Sequence, residues 1–274
     1  MDRGAILARI EEGAPLNEWQ VIDCHVHIGG GTVWQYIPRA RTDEMVVTMD
    51  RLGIDAVVAS AYRALFEDYR LGNDEIIQAT EEFPGRVLGY AVVNPHFPDD
   101  AEGELRRCFQ MPGIKGIKIH PASYIHDYPI DGPNYRAVWE FASDRGCPVL
   151  THAGPRTERH TCGSERIANV VEQYPDLHLI IGHTGAYDTW DALDEHIAIA
   201  ERHDNVCLDI SGTARIYGVV DYLVQRVGHE KVLYGSDASE HTFEVEIGHV
   251  VYAHIGDEAK ANILGRNMAR LLAF

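Results

Sequence analysis

Eight short apolar runs, rich in β-branched residues, recur along this chain with helical segments between them. That recurrence limits the fold more than any other feature. The runs are VIDCHVH (21–27), DAVVAS (55–60), VLGYAVV (87–93), GIKIH (116–120), PVLTH (148–152), LHLIIGH (177–183), NVCLDIS (205–211) and KVLYGSD (231–237). Their starts fall about 25 to 35 residues apart, the length of one strand–helix unit. Most lack a polar alternation, as strands buried on both faces of a parallel sheet do. Among the intervening segments, TDEMVVTMDRLG (42–53) is expected to open on a Thr42 cap and to stop at Gly53. NYRAVWEFASDRG (134–146) follows Pro133 and ends on a glycine, GSERIANVVEQYP (163–175) starts at Ser164, and residues 257–274 read as closing helices. Eight such units with no Gly/Ser linker predict an α/β fold, a (β/α)8 TIM barrel formed by residues 1–274 as one domain. A doubly wound sheet is the rival. It would carry a glycine-rich phosphate loop after the first strand, and HIGGG (27–31) has neither the GxGxxG order nor a following helix.

Composition narrows the partners. The formal charge is −18, from 42 acidic and 24 basic residues. That balance repels polyanions and makes nucleic acid or an acidic membrane surface a poor partner. A small-molecule substrate is expected, and a homo-oligomer is left open. The five cysteines, Cys24, Cys108, Cys147, Cys162 and Cys207, form no CxxC pair, which argues against a disulfide framework and a thiolate zinc site. The N-terminal residues lack the apolar core of a secretory signal, and no run reaches the roughly 18 apolar residues of a membrane span. A cytoplasmic setting is the expectation.

The chemistry lies at the ends of the runs. In DCHVH, His25 and His27 stand two apart, so on a strand both point to one face, and Cys24 and Val26 are expected to face the helix layer. His152 ends the fifth run, His183 the sixth and Asp237 the eighth. In a closed barrel these ends converge on the C-terminal face, where barrel active sites lie. A single strand-end histidine is more often a satisfied polar residue than a ligand, and a single Asp can be a helix cap. Four histidines and an aspartate together are another matter. Leaving them unpaired at a buried mouth would cost several kcal/mol, so the set points to a divalent metal.

DCHVHIG (23–29), GIKIHP (116–121), THAG (151–154), GHTG (182–185), YGSD (234–237) and ILGRNMARLL (263–272) resemble, in content and order, the amidohydrolase superfamily. Within it they are most similar to the amidohydrolase-related branch that includes aminocarboxymuconate semialdehyde decarboxylase-like proteins. The resemblance covers nearly the whole chain. It implies one metal, zinc first with manganese or iron as alternatives, held by His25, His27, His152 and Asp237. It also implies a catalytic pair, with His183 beside a metal-activated water and Asp237 taking its proton. Lys118 shares strand parity with His120. In two-metal members a carbamylated lysine on the fourth strand bridges two ions, so Lys118 is a second-metal bridge or, with His120, a substrate contact.

The loops 28–41 and 121–134 are expected to shape the pocket. Candidate substrate contacts are Arg63, Asn94, Tyr124, Arg156 and His241, the arginines being suited to a carboxylate. His126, His160, His178, His196, His203, His229, His249 and His254 read as structural or surface histidines. The leading functional expectation is a metal-dependent hydrolase of a small amide, lactone or ester. The alternative is a metal-dependent non-oxidative decarboxylase or hydratase of a small carboxylic acid, and a non-catalytic metal-binding protein comes third.

Overall fold

The computed structural model describes residues 4–29, 40–154, 158–186, 190 and 192–273. Eight strands alternate with helices: β1 (Ile22–Ile28), β2 (Ala56–Ala61), β3 (Val87–Val92), β4 (Ile114–Ile119), β5 (Val149–Thr151), β6 (Leu179–Ile181), β7 (Val206–Asp209) and β8 (Val232–Leu233). They form one sheet in the order β1 to β8, each neighbour parallel to the last. The seam between β8 and β1 is drawn together past the end of β8. There Cys24 N–H donates to the Tyr234 carbonyl at 2.9 Å and Asp237 N–H to the His25 carbonyl at 2.8 Å. Val26 and Ala238 add an isolated parallel bridge. The result is the expected TIM barrel.

Side-chain alternation divides the apolar residues into two shells. Ile22, Val58, Leu88, Leu150, Ile180, Cys207 and Leu233 fill the lower barrel, with Met268, Ala269 and Leu272 of the closing helices packed against them. Val57, Ala59, Ile117, Val149, Leu179, Ile181 and Leu208 join the larger outer core with helix residues such as Met49, Ile76, Trp139 and Ile167. Ile180 is fully buried in the inner plug. Ile180→Ala should therefore cost about 2–5 kcal/mol, read as a lower denaturant midpoint at unchanged slope.

Three local expectations are corrected. Cys24 does not face the helices. Asp23 pairs with Val57 but Val26 with Ala59, so Cys24 and His25 together oppose one residue of β2. This bulge turns Cys24 into the inner plug while His25 and His27 still share the mouth. Thr42 is not the cap of its helix, Thr42–Leu52. Arg41 is the N-cap and makes no side-chain capping bond, so the first-turn acids Asp43 and Glu44 meet the helix dipole instead. That helix does stop at Gly53, whose φ of 80° is left-handed and whose missing Cβ would lie 2.4 Å from Leu16 N. Finally, β4, β5, β6 and β8 stop short of the ends of their apolar runs. His120, His152, His183 and Asp237 therefore sit in turns just past the paired strands. Among the described residues, no helix is long and apolar enough to cross a membrane.

Candidate metal centre

Above the apolar plug, the inward positions become polar. His25 and His27 from β1, Ser60 from β2, Lys118 from β4 and Asp209 from β7 are all buried, as are His183 and Asp237 in the turns beyond β6 and β8. His27 Nε2 lies 3.2 Å from Asp237 Oδ1, and His25 Nε2 lies 3.6 Å from the same oxygen. These three residues bring one potential ligand atom each to within 4.8 Å of one another. His183 Nε2 meets His152 Nδ1 at 3.2 Å, and the His120 ring stacks on His152 at 4.0 Å. His152 thus adjoins the triplet through His183, and its other nitrogen, Nε2, lies 3.0 Å from Glu158 Oε2.

His183 and Asp237 share a backbone peculiarity. Both have φ of 56°, and Thr184 follows at 51°. Left-handed backbone at a non-glycine residue costs on the order of 1–3 kcal/mol and persists only where the surroundings enforce it. Here the Asp237 main chain is tied to β1 by its bond to His25, and Gly185, at φ 68°, completes the turn after His183. The two side chains expected to be catalytic are aimed by this strain.

Electrostatics favour neutral donors. Burial holds the imidazoles of His25, His120 and His183 below the ordinary histidine range; nearby cationic groups reinforce it at His25 and His120, and at His183 it prevails over the opposing pull of Asp237. For Asp237, burial alone would raise the carboxyl. The hydrogen bond with His27, helped by the Lys118 ammonium and the other basic groups around it, outweighs burial and holds the group well below the usual carboxylate range. Lys118, fully buried, has its ammonium lowered by burial to about 8, and its Nζ lies 2.6 Å from His25 Nε2. A neutral His25 imidazole and an ionised Asp237 carboxylate, buried and convergent with His27, are donors of the kind a divalent ion takes.

A second potential ligand group, His25, His183 and Asp209, shares His25 with the first. Its centre is filled by the Ser211 hydroxyl, 3.0 Å from each histidine Nδ1 and 2.6 Å from Asp209 Oδ2. It is a hydrogen-bonded hub rather than an open site.

A cavity of about 420 Å3 opens over the cluster. His27, His120, His152, His183 and Asp237 line it beside Tyr62, Leu65, Phe66, Ala122, Ser123 and Tyr124, with Glu158 and Glu240 at the rim. Phe66 links the wall, stacking with Tyr62 at 5.9 Å and Tyr124 at 6.3 Å and meeting His120 edge-on at 5.5 Å. Of the expected substrate contacts, Tyr124 and His120 line the cavity. Arg63 does not: it faces Glu67 and Glu75, at 3.5 and 3.9 Å. Asn94 is also displaced, its side chain bracing the loop by bonding the Ile125 carbonyl and His96 N–H. His241 is absent from the described lining, and Arg156 lies outside the described residues, as do positions 30–39 of the 28–41 loop.

The sequence reading overlooked Asp209, Ser211, Tyr62, Phe66, Glu158 and Glu240. Only Asp209 left a clear signal, an acid in the apolar run NVCLDIS at the same parity as inward Cys207. Phe66 and Tyr62 come from a short helix (Tyr62–Phe66) that follows β2 directly and turns its aromatic face to the mouth.

Relatives sharpen the chemistry. A gamma-resorcylate decarboxylase from Rhizobium sp. (strain MTP-10005) is 22% identical over 248 residues, covering 71% of this chain and 76% of its own. A 2,6-dihydroxybenzoate decarboxylase from Rhizobium superposes with a TM-score of 0.74 at 19% identity, covering 93% of this chain and 99% of that one. A 5-carboxyvanillate decarboxylase from Novosphingobium aromaticivorans, complexed with manganese and 4-hydroxy-3-methoxy-5-nitrobenzoic acid, gives 0.73 at 15% identity, covering 94% and 97%. These relatives break carbon–carbon bonds. They overturn the expectation of a hydrolase acting on an amide, lactone or ester and favour the alternative beside it. The ancestry itself agrees with the motifs from DCHVHIG to ILGRNMARLL: the amidohydrolase profile matches residues 22–274, and this chain belongs to the amidohydrolase family.

Proposed function

We propose that this protein is a metal-dependent, non-oxidative decarboxylase of a small aromatic carboxylic acid. The observation that carries the reading is the union, in one cavity, of the His/Asp cluster with the wall of Tyr62, Phe66 and Tyr124. A planar ring suits that wall, and a carboxylate suits the cluster beneath it. The decarboxylase names of the relatives agree.

One ion would be held by His25, His27 and Asp237, with His152 as the fourth ligand. Zinc is the first expectation from the motif. The manganese of the 5-carboxyvanillate decarboxylase makes manganese the first metal to test. We keep to one ion rather than two, because the second ligand group is filled by Ser211 and Lys118 Nζ packs against His25. Bound there, an ion would supply Lewis acidity.

The chain's own residues do the rest. Tyr62, Phe66 and Tyr124 hold the ring and exclude water from one face. His183, protonated on Nε2 from solvent, gives that proton to the ring carbon bearing the carboxylate. The carbon–carbon bond then breaks, its electron pair returns to the ring, carbon dioxide leaves, and His183 is again neutral. Its lowered proton affinity suits it to giving the proton up. Asp237, ionised throughout, balances the cationic groups around it.

The manganese-loaded protein, offered 2,6-dihydroxybenzoate, 5-carboxyvanillate and related hydroxybenzoates beside lactones and amides, should release carbon dioxide from an aromatic acid. Hydrolysis of a lactone or amide with no carbon dioxide from any acid would contradict the reading.

A pH consequence follows from the same ligands. Protons compete with the metal for each ligand, and burial keeps the His25 imidazole neutral below the ordinary value of 6.5, so this ligand stays available in mild acid. Metal content should hold as the pH falls past 6.5 and drop only in more acid buffer. Metal loss centred at 6.5 or above would mean that the histidines titrate as exposed ones do.

A further inference from the structure

We infer that Asp209 and Ser211 are positioning residues that fix the tautomers of His25 and His183, so that both rings present an unprotonated Nε2 to the mouth. The inference builds on the proposed roles of these two histidines, but its direct readout, a ring tautomer, needs neither substrate nor turnover.

At each ring the partners of Nδ1 point to one tautomer. His25 Nδ1 lies 2.7 Å from Asp209 Oδ2, and its Nε2 lies 2.6 Å from Lys118 Nζ. A lysine ammonium only donates, so Nε2 accepts, and Nδ1 must carry the ring proton and donate it to the carboxylate. His183 Nδ1 lies 3.1 Å from the Ser211 carbonyl oxygen, which only accepts, and 3.0 Å from the Ser211 hydroxyl. Its Nδ1 therefore also carries the proton, and Nε2 is the acceptor in its 3.2 Å contact with His152 Nδ1.

One carboxylate organises the whole arrangement. Asp209 accepts from Ser211 N–H at 2.9 Å, the Ser211 hydroxyl at 2.6 Å and His183 N–H at 3.3 Å, in addition to the His25 ring. Four donors converge on it while it stays fully buried. The chain also makes room for this approach. A Cβ on Gly235 would sit 2.1 Å from Asp209 Oδ1 and 2.9 Å from His25 Cβ, so the glycine in YGSD lets Asp209 reach His25. The same rotation of Ser211 that satisfies Asp209 places its hydroxyl oxygen against both imidazoles, which couples a ligand histidine to the proton-carrying one. Since Nδ1 of His183 is committed, every proton that ring exchanges passes through Nε2.

The test begins with the wild-type protein. Long-range nitrogen–proton spectra, recorded metal-free, report which ring nitrogen is protonated. The two rings are assigned by the signals lost in His25→Gln and His183→Asn. Both should be protonated on Nδ1. Protonation of either on Nε2 overturns the inference, whatever the substrate proves to be.

Asp209→Asn then tests cause. Its amide oxygen is held by Ser211 N–H, so its NH2 group faces His25 Nδ1 and forces that nitrogen to accept. The His25 proton should move to Nε2, and affinity for manganese should fall about 10- to 100-fold, the usual cost of losing a metal ligand's outer partner. Ser211→Ala keeps Asp209 and should retain the His25 tautomer and metal, with kcat down about 5- to 10-fold at unchanged KM. An Asp209→Asn protein that folds, keeps His25 protonated on Nδ1 and binds manganese as the parent does would refute the causal half. If that variant does not fold, the wild-type spectra still decide, since a proton on Nε2 of either ring overturns the inference.

Discussion

His183→Asn is expected to keep its metal and to lose about 10²-fold or more in kcat, the usual scale of a general acid–base contribution. Asparagine is the informative replacement for a structural reason. His183 sits at φ 56°, and asparagine adopts left-handed backbone with less strain than almost any other residue with a side chain. The turn should therefore survive, and the loss should report the missing ring. Metal analysis beside the rate separates two explanations. A variant that binds manganese as the parent does and turns over slowly supports a proton carrier. One that loses metal as readily as a ligand variant makes His183 a ligand.

Asp237→Asn and His25→Ala should lose metal and activity together. Each removes a bond to the ion, so affinity should fall more than about 100-fold, beyond the 10- to 100-fold expected for an outer partner. Asp237→Asn again respects a φ of 56° while removing the charge that stands 3.2 Å from His27 and 3.6 Å from His25. The loss of charge acts twice, since the imidazoles then face Lys118 without their counter-ion. Equilibrium dialysis against manganese, with rates taken on the same samples, measures both quantities. Full metal occupancy in Asp237→Asn would remove Asp237 from the ligand set.

The barrel was legible because parallel strands covered on both faces must be apolar throughout, and eight such runs can hardly belong to anything else. The ends of the runs were legible for the same reason: His152, His183 and Asp237 break an apolar pattern. What could not be read was local geometry. The bulge that turns Cys24 inward depends on how β1 pairs with β2, and no period in DCHVH announces it. The left-handed turns at His183 and Asp237 depend on contacts with β7 and β1, hundreds of residues apart in the second case. Arg63 was misplaced because a one-residue rotation on the short helix after β2 sends Tyr62 to the mouth and Arg63 toward Glu67. Choosing hydrolysis over decarboxylation failed for a different reason. The same ligands serve both reactions, and the aromatic wall that favours a ring substrate is assembled from Tyr62 and Phe66 on a short helix and Tyr124 on a separate loop.

The most direct test of a metal-dependent decarboxylase is a titration. Protein stripped by a chelator is given manganese in steps, and carbon dioxide release from an accepted hydroxybenzoate is measured at each step. The rate should be near zero without metal, rise in proportion to metal added, and level off at close to one ion per chain. A break near two ions per chain would restore a role for Lys118 between two metals. Carbon dioxide released at full rate from the stripped protein would contradict the account.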